Sequence, residues 1–242
     1  MPKINNKTAT ELIDHLNKLA DPKRAKALSW FFKTGPGQYG EGDKFIGITV
    51  PELRRVAKDF KELPFVELAT LLRSSVHEHR FIALKILVLQ YERGDAKKKE
   101  EVCRFYLKNI KSINNWDLVD TSAPYILGEY LLNKDKKILY KLVRSKNIWE
   151  RRISIISTFM LIREGKYNDS LKLAEILLKD KHDLIHKAVG WMLREIGKRS
   201  PETEHAFLEK YCGIMPRTML RYAIEKFPPE KRREYLNRPR TI

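Results

Sequence analysis

The sequence predicts an all-α, helical-repeat fold, and three observations lead there. Apolar residues recur at intervals of three and four almost throughout the chain, which is the period of amphipathic helices. One helical pattern returns at a fixed spacing. The chain also carries a formal net charge of +17, from 48 Lys and Arg against 31 Asp and Glu.

The elements follow in order. ATELIDHLNKLA, from Ala9, reads as the first helix. Asp21-Pro22 then supplies an N-cap and a proline at the first helical position, opening PKRAKALSWFF. The next stretch, KTGPGQYGEGDKFIGIT at 33–49, holds five of the chain's eleven glycines (Gly35, Gly37, Gly40, Gly42, Gly47). It reads as a loop, with a short hairpin through Lys44–Thr49 as an option. Val50-Pro51 restarts a helix with PELRRVAKDF. Further helices are expected near 64–74, 77–93, 95–109, 115–132, 134–145, 147–164, 167–180, 182–198, 201–211, 216–227 and 229–236.

The repeat organises these helices. HRFIALKILVLQY from His79, RRISIISTFMLIR from Arg151 and KAVGWMLREIGKR from Lys187 share a basic residue followed by apolar positions at helical spacing. Arg80, Arg151 and Lys187 are separated by 71 and 36 positions, two units and one unit of about 36. One unit before Arg151 lies Asn115, and one unit after Lys187 lies RTMLRYAIEKF. A helix-pair period in this range marks HEAT-, armadillo- or TPR-like arrays. Without a TPR or ankyrin consensus, the label is HEAT-like: an α-α superhelical solenoid with a concave basic groove. No Pro- or Ser-rich linker interrupts it, so residues 1–242 read as a single domain. If the second helix of each pair lines the groove, Arg80, Arg151 and Lys187 are placed to track a phosphate backbone. The alternative for these cations is a solvated helix face.

Composition narrows the function classes. With 242 residues and 43% hydrophobic content, the chain can bury a core. A pI near 9.8 points to polyanionic partners such as nucleic acid. No run of about 18 apolar residues is present, so no membrane-spanning segment is expected. The start, MPKINNKTATELIDHL, has no apolar signal segment. Cys103 and Cys212 are far apart in sequence, as expected of reduced thiols in a cytoplasmic protein. His77 and His79 form an H-x-H with no further Cys or His nearby; they read as a surface helix start, not a metal site.

The chemistry concentrates in NNWDLVDTSAPYI, 114–126. Trp116 and Asp120 are spaced i, i+4 and share a helix face. Asp117 projects about 100° away from Trp116. Asn114 and Asn115 are natural caps, and Asp117 in the first turn suits the helix dipole. Pro124 has no N–H for the carbonyl of residue 120, so a kink or break is expected at Asp120. From local sequence, Asp120 is equally a cap for a helix starting near Ser122 or a catalytic carboxylate. Arg152 follows Arg151 in NIWERRISII. Trp149 in that segment reads as a packing anchor, whereas Trp191 follows Gly190 in HKAVGWMLREIGK.

NNWDLVD, NIWERRISII and HKAVGWMLREIGK, in that order and at these separations, resemble the AlkD family of HEAT-like-repeat DNA alkylpurine glycosylases. YGEGDKFIGITVPELRRVAK resembles the wider DNA-alkylation-repair group, and the likeness runs from about residue 20 to 230. The resemblance implies roles residue by residue. Asp120, the second aspartate of W-D-x-V-D, matches the catalytic carboxylate, and Trp116 is the tryptophan of that motif. Arg152 matches an arginine of the following repeat helix, and Trp191 the tryptophan before M-L-R-E. One departure is the glycine-rich stretch 34–43, longer than the connection in well-known active members.

The implied activity is hydrolysis of the N-glycosidic bond of cationic N3- or N7-alkylated purines in duplex DNA, by a monofunctional enzyme that leaves an abasic site. It needs no cofactor and no metal, and a monomer is expected. Asp120 would stabilise cationic character at the sugar, Trp116 and Trp191 would pack against it, and Arg152 would hold a phosphate, alongside Arg151 and Lys187. A non-catalytic binder of branched or distorted DNA is the competing reading, and a protein–protein scaffold is a third that the +17 charge argues against. The C-terminal KRREYLNRPR is either a basic DNA contact or a solvated end.

Overall fold

The computed structural model describes residues 7–240. The first residues of the segment read above for a signal sequence lie outside them. Fourteen α-helices occupy the described chain: α1 (Ala9–Lys18), α2 (Pro22–Phe31), α3 (Val50–Asp59), α4 (Phe65–Leu72), α5 (His77–Arg93), α6 (Ala96–Lys108), α7 (Trp116–Ala123), α8 (Lys137–Leu142), α9 (Ile148–Arg163), α10 (Asn168–Leu177), α11 (Asp183–Gly197), α12 (Pro201–Tyr211), α13 (Arg217–Ala223) and α14 (Pro229–Asn237). Among the described residues the one β interaction is an isolated parallel bridge between Lys44 and Val76. No helix there is long and apolar enough to cross a membrane.

Helix starts follow their capping chemistry. Thr8 and Glu11, and Thr49 and Glu52, form reciprocal capping boxes at α1 and α3. Asp21 caps α2, accepting from the N–H groups of Lys23 and Arg24 at 2.9 and 3.1 Å with Pro22 at the first position. Asn147 caps α9 through the Trp149 N–H at 2.8 Å, and Trp149 itself is buried as a packing residue.

The described residues form two compact units, divided between Ser122 and Ala123. In the first, α3, α4 and α6 pack on α5. Phe81, Ile82, Leu84, Ile86, Leu87, Val88 and Tyr91 of α5 are all buried, so this helix is apolar nearly all round, as a helix covered on several sides must be. In the second unit, α8 packs on α9, α10 on α9 and α11, and α12 on α11, while α11 stacks on both α9 and α13. These stacked helices begin at 148, 183 and 217, close to the expected period. The fold is therefore all-α with helical repeats. Gly190 permits the α11–α13 contact: a Cβ there would lie 2.4 Å from the Met219 carbonyl oxygen and 2.5 Å from Tyr222 Cβ.

Three expectations need correction or refinement. The helix does not break at Asp120. It continues through Ala123, and the donor that Pro124 lacks is absorbed by a π-helical turn, Pro124–Gly128, in which the Glu129 N–H reaches back to the Pro124 carbonyl. The H-x-H opens α5 as expected but is not at the surface: His77 and His79 are 3% and 6% exposed. The basic C-terminal stretch forms α14, anchored by buried Tyr235, with Arg238 paired to Glu209 and Glu234.

Candidate functional site

In the first unit the motif residues sit on α7, and the start of that helix is tied to the glycine-rich loop. Asn115 is fully buried; its Oδ1 accepts the Trp116 N–H at 2.8 Å and its Nδ2 donates to Asp43 Oδ2 at 3.1 Å. Asp43 also accepts from Arg80 Nη2 at 2.6 Å and pairs with His77 Nδ1 at 3.1 Å. The other His77 nitrogen, Nε2, meets Asp117 Oδ2 at 2.7 Å. Asp117 Oδ1 accepts the Leu118 N–H at 2.8 Å, as a first-turn carboxylate can. Phe32 and Phe45 stack on each other at 5.0 Å, and both lie against the imidazole, at 5.0 and 4.6 Å between ring centroids.

This first turn of α5 is a buried polar quartet. Glu78, 2% exposed, receives the N–H groups of Ile46, Gly47 and Ile48 and so holds the loop backbone. Gly47 sits at φ +86°, and a Cβ there would lie 2.1 Å from the Asp21 carbonyl oxygen, so only glycine fits. His79 Nδ1 lies 2.9 Å from Ser74 Oγ; burial and the neighbouring Arg80 hold its pKa below the ordinary value. His77 goes the other way. Burial alone would lower it, but the Asp117 and Asp43 carboxylates outweigh both burial and Arg80 and hold it at about 9.

The linkage has a definite sign. A pKa raised from 6.5 to about 9 gives stability that is complete below pH 6.5 and is lost as pH rises towards 9. The amount is on the order of 3 kcal/mol. Urea melts at pH 6 and pH 9.5 should therefore differ for the wild type, and the difference should shrink in His77→Gln. An equal pH dependence in that variant would show that another group is responsible.

Trp116 is half-buried in an aromatic cluster. Phe32 stacks on its indole at 5.2 Å and 16°, Phe31 meets it edge-on at 6.1 Å, and its Nε1–H donates to the Tyr39 hydroxyl at 3.3 Å. Asp120 is half-buried one turn further along α7. Its charge reaches buried Tyr106, whose phenol is pushed up chiefly by burial although Ser122 Oγ bonds it at 3.1 Å.

In the second unit the remaining predicted residues lie on α9 and α11. Arg152 is 5% exposed, and its Nη1 donates to the Leu184 carbonyl at the start of α11. Arg151 binds Asp180 through Nε at 2.6 Å and the Ser145 and Lys146 carbonyls through Nη1 at 3.0 Å. Lys187 pairs with Asp183 at 2.8 Å. Trp191 is half-buried, 5.9 Å from the Phe159 ring, and its Nε1–H donates to Glu195 at 3.3 Å. Among the described residues no group of three or more His, Cys, Asp or Glu side chains is placed to hold a metal ion; both nitrogens of His77 already face carboxylates.

A family model described as DNA alkylation repair enzyme matches residues 12–227. The chain belongs to this family. The structure is similar to a predicted DNA alkylation repair enzyme from Enterococcus faecalis, with a TM-score of 0.67, 17% identity, and coverage of 87% of this chain and 97% of that one. It is also similar to AlkD2 from Streptococcus mutans, with a TM-score of 0.53, 16% identity, and coverage of 92% and 100%. At these identities the likeness is one of fold. No curated protein matches the sequence.

The family places the chain in alkylation repair, but the grouping of Asp43, His77, Arg80 and Tyr39 is not visible in the local sequence. The available signal was a carboxylate inside a glycine-rich loop and a polar HEHR start on an otherwise apolar helix.

Proposed function

We propose that the protein is a monofunctional DNA glycosylase acting on cationic N3- or N7-alkylated purines in duplex DNA, as a monomer without cofactor. The observation that carries this reading is the family match over residues 12–227. The retained Trp116, Asp120, Arg152 and Trp191 support it.

The chemistry runs by electrostatics. Alkylation leaves the purine positively charged, so it departs neutral with the electrons of its bond to C1′. Positive charge develops on the deoxyribose, and the Asp120 carboxylate stabilises it. Water adds at C1′ and gives up a proton, to Asp120 or to solvent. The indole faces of Trp116 and Trp191 pack against the sugar. Arg152 binds a backbone phosphate. Arg151 and Lys187 add further phosphate contacts, exchanging Asp180 and Asp183 for the DNA.

The test is incubation with duplexes carrying 7-methylguanine or 3-methyladenine, measuring released base. Release of the free base with an intact, alkali-labile strand supports the reading. Binding without release rejects it in favour of a non-catalytic DNA binder. Three phosphate contacts imply that log affinity falls with log salt at a slope of about −2.7, or roughly 40-fold from 50 to 200 mM. An affinity flat across that range would contradict the assignment of Arg152, Arg151 and Lys187.

A further inference from the structure

We propose that Asp43, His77 and Tyr39 are positioning residues that fix the rotation of α7 about its axis, and with it the directions of Trp116 and Asp120. The kinetic part of this inference rests on the glycosylase reading; the structural part does not.

α7 (Trp116–Ala123) runs on into the π-helical turn Pro124–Gly128, so its open end is the start at Trp116, and the setting of that first turn comes from its neighbours. Here two side chains are held at once. Asp117 is held by His77 Nε2 at 2.7 Å, and Trp116 by the Tyr39 hydroxyl at 3.3 Å and the Phe32 ring. The two project about 100° apart, so together they leave the helix no free rotation. Asn115 adds the axial constraint by joining the Trp116 N–H to Asp43. On the same helical wheel Asp120 projects about 40° from Trp116 and about 60° from Asp117, between the two anchors. Its direction is therefore bracketed by them.

The polar character of the anchor matters. Leu118, Val119 and Ala123, fully buried, hold α7 down by its apolar face, and the hydrogen bonds at Trp116 and Asp117 add a set angle at its start. The His77 ring is bonded at both nitrogens, to Asp43 and Asp117, and packs against the stacked pair Phe32 and Phe45, so it cannot turn without losing a carboxylate. Asp43 is itself fixed by Arg80 at 2.6 Å. The glycine-rich loop on this view is a strap that carries Tyr39 and Asp43 to the start of α7.

The test uses the full chain with ¹⁵N-labelled indoles, the Trp116 Nε1–H resonance being assigned by its loss in Trp116→Phe. Tyr39→Phe keeps the ring and removes the hydroxyl; His77→Gln can serve only one carboxylate at full geometry. Both are expected to shift or broaden the Trp116 indole signal while those of Trp149 and Trp191 stay in place. Turnover on a saturating 7-methylguanine duplex should fall at least about tenfold, with duplex affinity within about twofold of wild type. An unmoved Trp116 resonance in folded Tyr39→Phe overturns the proposal, and so does turnover in either variant that falls only in step with its unfolded fraction. If His77→Gln fails to fold, Tyr39→Phe decides alone. If the wild type releases no base, the glycosylase reading fails, and the indole signals still decide whether these residues position α7.

Discussion

Asparagine in place of Asp120 is expected to lower release of 7-methylguanine by about two to three orders of magnitude while duplex affinity is equal or higher. The two side chains have the same shape, so the change isolates charge. A carboxylate near C1′ acts only as the bond to the base lengthens and positive charge appears, which places its effect in the transition state. Removing one preorganised electrostatic group of this kind lowers turnover about 10²- to 10³-fold. In the ground state the same carboxylate repels nearby phosphates, so its neutralisation does not weaken binding. Single-turnover release and fluorescence anisotropy on the same lesion duplex measure the two effects. Unchanged release would remove Asp120 from the chemistry. Loss of binding together with a lowered melting temperature would make it a structural residue.

Asp117 provides the contrast that gives this experiment meaning. It lies three residues earlier on α7, and its two oxygens are already occupied, by His77 and by the Leu118 N–H. Two aspartates in one short motif thus divide: one anchors the helix, and the other is assigned to the reaction. The first assignment rests on bonds in the structure and the second on the proposed function.

That division shows what the sequence makes legible. Helix period, capping pairs such as Asp21 with Pro22, and the return of α9, α11 and α13 at 148, 183 and 217 are short-range or periodic properties, so they can be read along the chain. The setting of His77 cannot. Its bond to Asp43 spans 34 positions, and the Asn115 bond to Asp43 spans 72. Nothing within a few residues of H-x-H indicates that a loop carboxylate will cover it. Likewise Arg151 looks like a groove cation in sequence, and its Asp180 partner lies 29 positions away. Pro124 is illegible for a different reason. The rule that proline breaks a helix is correct about the missing donor, but a π-helical turn relieves it without ending the helix.

Asp43→Asn is expected to destabilise the protein by about 3–5 kcal/mol, the usual result of removing one partner from a buried ion pair. The amide oxygen can still accept from Arg80, but its NH₂ would then face His77 Nδ1 and Asn115 Nδ2, both donors in the present network. His77 and Arg80 would share the site without the carboxylate that now joins them. The loss should depend on pH in a set way. Burial tends to raise Asp43, but His77, Arg80 and Asn115 outweigh it and hold its pKa below 3.8, so its contribution is present above that value and fades as pH falls further. The His77 contribution is full below 6.5 and is lost towards 9. The wild-type advantage over Asp43→Asn should therefore be greatest between about pH 4 and 6.5, measured by urea denaturation followed through tryptophan fluorescence. Combining Asp43→Leu with Arg80→Met should recover part of the stability lost by Asp43→Leu alone, because the guanidinium is no longer left buried without its carboxylate. Failure of that recovery would mean that Arg80 and Asp43 do not act as a pair. Recovered stability without recovered base release would separate holding α7 in place from aiming it.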